Sequence, residues 1–376
     1  MTVIRFVLAV SLLGFLFCSP VARAQQPSEP QLSLRLQKLP SDRMGPFVKL
    51  PDGSYLTVDG TSAFTSADGG KTWTESAAVL PSEGFKISNE RALLRKKNGT
   101  LVSAFMNLAT RSKEYWVKET NEFPDDIRLE VWAVRSTDDG RTWTHAQCVQ
   151  RDGYCGAIRA MIEAADGTIV LGAQNIVRDP SRHVITTYRS TDDGQSWRAA
   201  TFLDENGERK PHFDIGGHGH HDGAVEPTMI ALNDGRLWML IRTGHDFFWE
   251  SFSTDHGATW SFPQKSRVGA SSAPGMLHRL ADGRIVLVWN RLYPEGKGDY
   301  ERRAMPWHKV PSSYHREELS LAISADEGAT WSEPQILARR GPGQWVSYPY
   351  LFEPNPGELW ITTMQCGLRA KLNVNE

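Results

Sequence analysis

One eight-residue pattern, Ser-x-Asp-x-Gly-x-(Thr/Ser)-Trp, recurs five times, at residues 66–73, 136–143, 190–197, 253–260 and 324–331. Successive tryptophans lie 70, 54, 63 and 71 residues apart, so the repeat marks a multi-bladed chain with insertions of varying length. Within each copy the Asp can accept hydrogen bonds from its own turn, and the Gly can take the positive φ that a tight turn needs. The Trp then begins the next strand. Five near-identical copies fit a scaffold better than a catalytic centre, which needs one constellation. Calcium would need more oxygen ligands than one Asp per turn supplies.

A second repeat runs in register with the first. Asp52-Gly53, Asn98-Gly99, Asp166-Gly167, Asp234-Gly235, Asp282-Gly283 and Pro356-Gly357 each precede an apolar, β-rich run, which is a hairpin signal. Five of these hairpins are followed by a box. No stretch has a strong helical period. The expected fold is all-β, a six-bladed β-propeller with four strands per blade, forming a single domain over 31–376. Blades are expected over 45–78, 88–147, 156–200, 223–264, 272–334 and 345–366. Residues 31–38 alternate in strand fashion and are expected to complete the sixth blade, which removes a free sheet edge.

With 42 basic and 44 acidic residues the chain has no nucleic-acid footprint. Residues 1–24 read as a secretory signal: Arg5, an apolar run from Phe6 to Phe17, and Ala22-Arg23-Ala24 before Gln25. The run is too short to span a bilayer. Residues 25–30 then form a polar linker, and the mature chain is expected to be secreted or periplasmic, monomeric and without a membrane span. In an oxidising compartment Cys148 and Cys155 could close a loop, leaving Cys366 over.

In a propeller the innermost strand of each blade runs into its hairpin and the second strand runs back. Residues eight or nine before the turn Gly therefore face those seven or eight after it, on the rim around the axis. This offset selects Arg43 and Asp59, Arg91 and Asn107, Arg159 and Asn175, Glu226 and Arg242, Asn290 and Arg291, and Tyr348 and Gln365. Third strands would bring Arg128, Arg182, His245 and Arg316 to the same rim. So many arginines in a charge-balanced protein suit an anionic ligand, since the guanidinium fork matches a carboxylate or sulfate. The loop His218-Gly-His220-His221-Asp222 leads onto this rim. Metal ligation, acid/base work, substrate hydrogen bonding and a solvated loop are all open readings of it, and no metal spacing template is matched.

Three segments on this rim resemble the sialidase (neuraminidase) superfamily, whose six-bladed propellers carry these Asp boxes. They are residues 226–242 with Glu226 and Arg242, 315–324 with Arg316 ahead of a box, and 347–351 with Tyr348. The resemblance implies Tyr348 as nucleophile, Glu226 as its base, and Arg242 and Arg316 as carboxylate clamps. It also implies a third clamp arginine, from Arg43 or Arg91, and an acidic proton donor near the first blade. Arg43-Met44-Gly45-Pro46 departs from the family's Arg-Ile-Pro pattern, so the third arginine stays open between the two. The donor stays open among Asp59, Asp126, Asp222 and His221, with Arg159, Asn175 and Arg291 as further substrate contacts. A neutral phenol suits a sugar that carries a carboxylate on its anomeric carbon, because a carboxylate nucleophile would be repelled. The implied activity is exo-α-sialidase-like hydrolysis without a cofactor. A glycan-binding propeller and a uronate-directed lyase or hydrolase are the alternatives.

Overall fold

Each X-Gly turn closes an antiparallel hairpin, and six sheets of four or five strands succeed one another along the described residues, with two smaller sheets of three and two strands besides them. The structure is a computed structural model that describes residues 29–81, 83–144, 146–220, 222–294, 300–305 and 308–376. Blade 1 comprises Val48–Lys49, Tyr55–Asp59, Ser62–Ser66 and Thr74–Ala78, and blade 2 Ile87–Arg95, Leu101–Asn107, Val131–Ser136 and Gln147–Gln150. Blade 3 comprises Ala157–Glu163, Ile169–Val177, Arg182–Ser190 and Arg198–Ala199. Blade 4 comprises Val225–Ala231, Leu237–Arg242, Phe247–Ser253 and Gln264–Gly269. Blade 5 comprises Met276–Arg279, Ile285–Trp289, Glu318–Ser324 and Gln335–Arg339. Blade 6 holds Pro349–Asn355, Glu358–Thr363 and Arg369–Asn373. The first strands of successive blades touch in a closed circle, with blade 6 returning to blade 1. The fold is an all-β propeller.

Closure differs in detail from a single strand over 31–38. Gln37–Lys38 pairs with Lys371 and Ala370 as the outer strand of blade 6. Gln31–Leu32 instead pairs with Arg339 and Ala338, adding a fifth strand to blade 5. Between them the Leu36 N–H bonds the Ser33 carbonyl at 3.0 Å, a turn that divides the segment between two sheets. Fourth strands of blades 2, 4 and 5 also reach past the expected limits, to Gln150, Gly269 and Arg339. Residues 1–24 and most of the expected linker lie outside the described residues. Helix is confined, among the described residues, to one 3₁₀ turn at Leu108–Thr110.

Apolar side chains collect between blades. Six buried clusters occupy the interfaces of blades 1–2, 2–3, 3–4, 4–5, 5–6 and 6–1. The last of these joins Phe47 and Tyr55 to Phe352 and Trp360. Each blade is therefore stabilised chiefly through its neighbours, as in other stacked-repeat folds.

The boxes show why they recur. Asp68 Oδ1 accepts the Thr72 N–H at 2.9 Å and the Ser66 hydroxyl at 2.8 Å, while Ser66 Oγ accepts the Gly70 N–H at 2.9 Å. The same Ser–Asp and Gly–Ser bonds close the boxes at Asp138, Asp192, Asp255 and Asp326. Gly70 has φ +86°, and a Cβ there would lie 2.5 Å from the Trp360 ring of blade 6. A side chain at this position is excluded both by backbone conformation and by the neighbouring blade. Box glycines of blades 2 to 5 likewise lie against the second strand of the preceding blade, at Leu56, Val102, Val170 and Trp238. Each box is thus a turn and a blade-to-blade contact at once.

No disulfide joins Cys148 to Cys155. Cys155 is fully buried and donates to the Ala157 carbonyl at 3.4 Å.

Candidate active site

Three first strands break register near the axis, and each break carries a charged side chain to the centre. In blade 2, Ile87 faces Asn107 and Arg91 faces Phe105, so extra residues, Glu90 among them, bulge between. Blade 3 breaks between Ile158 and Ala160, around Arg159. Blade 4 breaks between Val225 and Thr228, around Glu226. Bulges of this kind re-aim side chains at the rims of closed sheets. Glu226 has φ +44° and Tyr348, just before the first strand of blade 6, has φ +65°. For a bulky aromatic residue that conformation is a genuine outlier, of the sort the surrounding structure must impose.

These residues form one connected group. Tyr348 Oη donates to Glu226 Oε1 at 2.9 Å, and Arg242 Nη1 donates to Glu226 Oε2 and approaches Tyr348 Oη at 3.4 Å. Ser272 aligns two guanidiniums. Its hydroxyl accepts from Arg242 Nε and Nη2 at 3.3 and 3.1 Å, and its carbonyl accepts from Arg316 Nη2. The Arg316 guanidinium lies 5.6 Å from the Tyr348 ring centre and 4.6 Å from that of Trp345. On the other side Arg159 lies 5.2 Å from the Tyr348 ring and donates to the Pro349 carbonyl at 2.7 Å.

Burial dominates the electrostatics. It pushes the Glu226 carboxyl up, but Arg242 and then Arg159 overcome it and hold the group below its ordinary value. Burial and the Glu226 charge push the Tyr348 phenol up to about 12, so it keeps its proton until a base takes it. Glu90, with 14% of its side chain exposed, is pushed up to about 8 by burial and by Glu226, against the pull of Arg159 and Arg242. Arg159, Arg242, Arg316 and Glu226 are all buried, so three cations face one ionised carboxylate. Arg159 Nε and Nη1 and Arg316 Nε have no hydrogen-bond partner. Buried uncompensated positive charge is costly unless a ligand supplies the counter-charge.

Other candidates among the described residues have other partners or are exposed. Arg43 Nη1 donates to Asp59 Oδ2 at 3.0 Å and Arg91 Nη2 lies 3.6 Å from Asp59 Oδ1, so one carboxylate is shared by both arginines on the blade 1–2 side. Asp222 is buried, and its carboxylate accepts the N–H groups of His218 and Gly223 at 3.1 and 2.9 Å, bracing its own loop. Asp126 is exposed on the blade 2 insertion, and its recorded hydrogen bond runs from Ser112 to its backbone carbonyl. His221 lies outside the described residues. Asn175 donates to Thr186 and Tyr188 within blade 3, and Arg291 pairs with Glu318 at 3.3 Å in blade 5. Arg128 and Arg182 pair with Glu130 and Asp214. Of the residues read from the rim offset, Tyr348, Glu226, Arg242, Arg316 and Arg159 come together.

Besides Ser272, Trp345, Tyr314 and Tyr350, two more residues outside that reading join them. Glu90 is one. Tyr115, from the insertion between the second and third strands of blade 2, is the other. Burial lifts its phenol well above the ordinary value, and the charges of Glu226 and Glu90 add to this. Its ring lies 4.3 Å from that of His220, so the insertion and the His-rich loop meet beside the carboxylates. Burial lowers the His220 imidazole to about 3 and that of His183 to about 4, which keeps both rings neutral. No group of three or more His, Cys, Asp or Glu is placed to hold a metal among the described residues. No helix among them is long and apolar enough to cross a membrane.

The profile of the BNR repeat-like domain matches residues 61–361, and the chain belongs to this family. No curated protein matches it in sequence. Among solved structures it is similar to the NanB sialidase from Streptococcus pneumoniae, at 11% identity and TM-score 0.56 over 92% of this chain and 71% of that one. It is similar to the intramolecular trans-sialidase from Ruminococcus gnavus, at 13% identity and TM-score 0.54 over 89% and 94%. An alpha-L-arabinofuranosidase from Fusarium graminearum is also similar, at 13% identity and TM-score 0.51 over 87% and 91%. At these identities the likeness is one of fold, and the chain is a sialidase-like BNR propeller.

Proposed function

We propose that this protein is an exported glycoside hydrolase that removes a terminal sugar bearing an anomeric carboxylate, an exo-α-sialidase-like activity. The observation that carries the reading is the Tyr348–Glu226 hydrogen bond of 2.9 Å, set among three buried arginines. Tyr348 Oη attacks the anomeric carbon while Glu226 accepts its proton, and a covalent glycosyl-tyrosine forms. Arg242 and Arg316, held side by side through Ser272, grip the substrate carboxylate and fix the ring for attack. The sialidase neighbours support this reading of the fold. The arabinofuranosidase neighbour indicates that the same fold also accommodates another sugar, so the choice of an acidic one rests on the arginines.

Tyr348→Phe keeps the ring and its packing and removes only the nucleophilic oxygen. Turnover of aryl sialosides is expected to fall by at least about 10³-fold, in line with losing a covalent nucleophile, while the far-ultraviolet spectrum and melting temperature change little. Sugar release by the variant at the wild-type rate would remove Tyr348 from this role. Residues 1–24 act as the export signal in this reading, and a mature protein whose mass begins at Gln25 would agree with it.

A further inference from the structure

We propose that Glu90 is the proton donor to the leaving group, whereas Asp59 is engaged by Arg43, Asp222 by the His218 and Gly223 N–H groups, and Asp126 is exposed. The inference rests on the hydrolase reading above and adds the residue that completes it. Glu90, Arg159 and Glu226 occupy corresponding bulges at the start of the first strands of blades 2, 3 and 4, which brings all three to the axis. Blade 6 fixes the backbone on either side of Glu90. The Tyr350 hydroxyl accepts the Arg91 N–H at 3.2 Å and bonds the carbonyls of Asn89 and Arg91 at 3.3 and 3.2 Å. Glu90 Oε1 is buried and has no hydrogen-bond partner, and its nearest recorded cation is Arg159 Nη1 at 3.8 Å. A buried carboxyl oxygen is rarely left unsatisfied unless something else uses it.

Charge favours the acid form. Glu226 is ionised beside Arg242, and a second carboxylate in the same pocket is best accommodated with its proton on. A bound substrate carboxylate strengthens that preference. Two carboxyl groups held at different protonation states are what acid and base roles require.

The chemistry balances. In the first step the Glu90 carboxyl gives its proton to the glycosidic oxygen as the bond from that oxygen to the anomeric carbon breaks, the electron pair leaving with oxygen. Tyr348 Oη bonds the same carbon and its proton passes to Glu226. In the second step water attacks the anomeric carbon and the Glu90 carboxylate takes the water's proton. The carbon–Tyr348 bond breaks, and Glu226 returns its proton to the phenolate.

Glu90→Gln separates these roles when wild type and variant are assayed on two substrates of one sugar. One carries an alkyl or glycan leaving group, which needs the proton; the other carries a nitrophenyl group, which does not. The expected result is a loss of roughly 10²-fold or more in kcat/KM on the first, much less on the second, and disappearance of the alkaline fall in the pH profile. An equal loss on both, or an unchanged alkaline limb, would assign Glu90 a structural role and overturn the proposal. If wild type turns over neither substrate for any acidic sugar tested, the hydrolase reading fails and this inference fails with it. Glu90→Asp, keeping the acid one methylene shorter, should recover part of the alkyl-substrate rate if proton donation is the function.

Discussion

Tyr348 is held in a left-handed backbone conformation and in contact with a carboxylate and three guanidiniums, so its environment is set by residues from three other blades. Glu226 must be ionised to take the phenol proton, and its carboxyl lies below the ordinary 4.5 because Arg242 and Arg159 outweigh burial. The rate should therefore rise as pH climbs through that depressed value. Glu90 must be protonated, so the rate should fall as pH passes about 8. A kcat/KM profile with both limbs checks this; a rate still climbing past pH 9 would contradict it. Arg316→Ala should raise KM for an acidic substrate more than it lowers kcat, because the clamp binds ground and transition states alike. Arg242→Ala should damage both, since it also leaves the buried Glu226 carboxylate without its closest cation. Tyr348, Glu226 and Arg242 were legible from the offset to the hairpin glycine, and Arg316 from its third-strand place ahead of a box Ser. Glu90 lies nine before Gly99, inside the same window, but the offset alone does not separate it from Arg91, the residue taken there. The blade 2 bulge turns Glu90 to the axis, while Arg91 faces Asp59 and Tyr350.

At the scale of the element, the box is a small acid-sensitive device. Hydrogen bonds from the Thr72 backbone and hydroxyl hold the Asp68 carboxyl at about 2, against an ordinary 3.8. At Asp138 burial pushes upward, yet Thr142 and Ser136 bring it to about 2 as well. Asp192, Asp255 and Asp326 are lowered too. A carboxyl depressed by folding contributes stability above its unfolded pKa and loses it as pH falls through the folded one. Stability should thus fall between about pH 4 and pH 2, and Asp138→Asn should flatten that part of a melting-temperature series. Gly70→Ala tests the other half of the device. A Cβ meeting Trp360 at 2.5 Å, on a backbone at φ +86°, should cost about 2 kcal/mol or more in urea unfolding. The box turns were readable from sequence because their bonds are local. Their packing on the preceding blade was not, since it joins residues such as 70 and 360 that are distant in the chain.

For the whole molecule, stability resides in a ring of six apolar interfaces, and the ring is only as strong as its closure. Blade number could be counted from six Gly turns against five boxes. The division of 31–38 between two blades could not, because both pieces are too short for alternation to choose a partner sheet. Removing residues 29–38 uncovers the outer strands of blades 5 and 6 and should lower the melting temperature and broaden the transition. An unchanged, equally sharp transition would show that closure lies in the innermost strands alone. The same ring delivers one residue each from blades 2, 3, 4, 5 and 6 to the axis, at Glu90, Arg159, Glu226, Arg316 and Tyr348, with Arg242 a second from blade 4. The most direct test of that convergence is covalent trapping. Incubation with a 2,3-difluoro derivative of sialic acid, whose fluorines slow release of the sugar, should add one glycosyl mass to the intact protein. Peptide mapping should place it on Tyr348, and Tyr348→Phe should gain nothing. Label on Glu226 or Glu90, or steady turnover of aryl sialosides with no trapped adduct, would contradict a tyrosine nucleophile at the centre of this propeller.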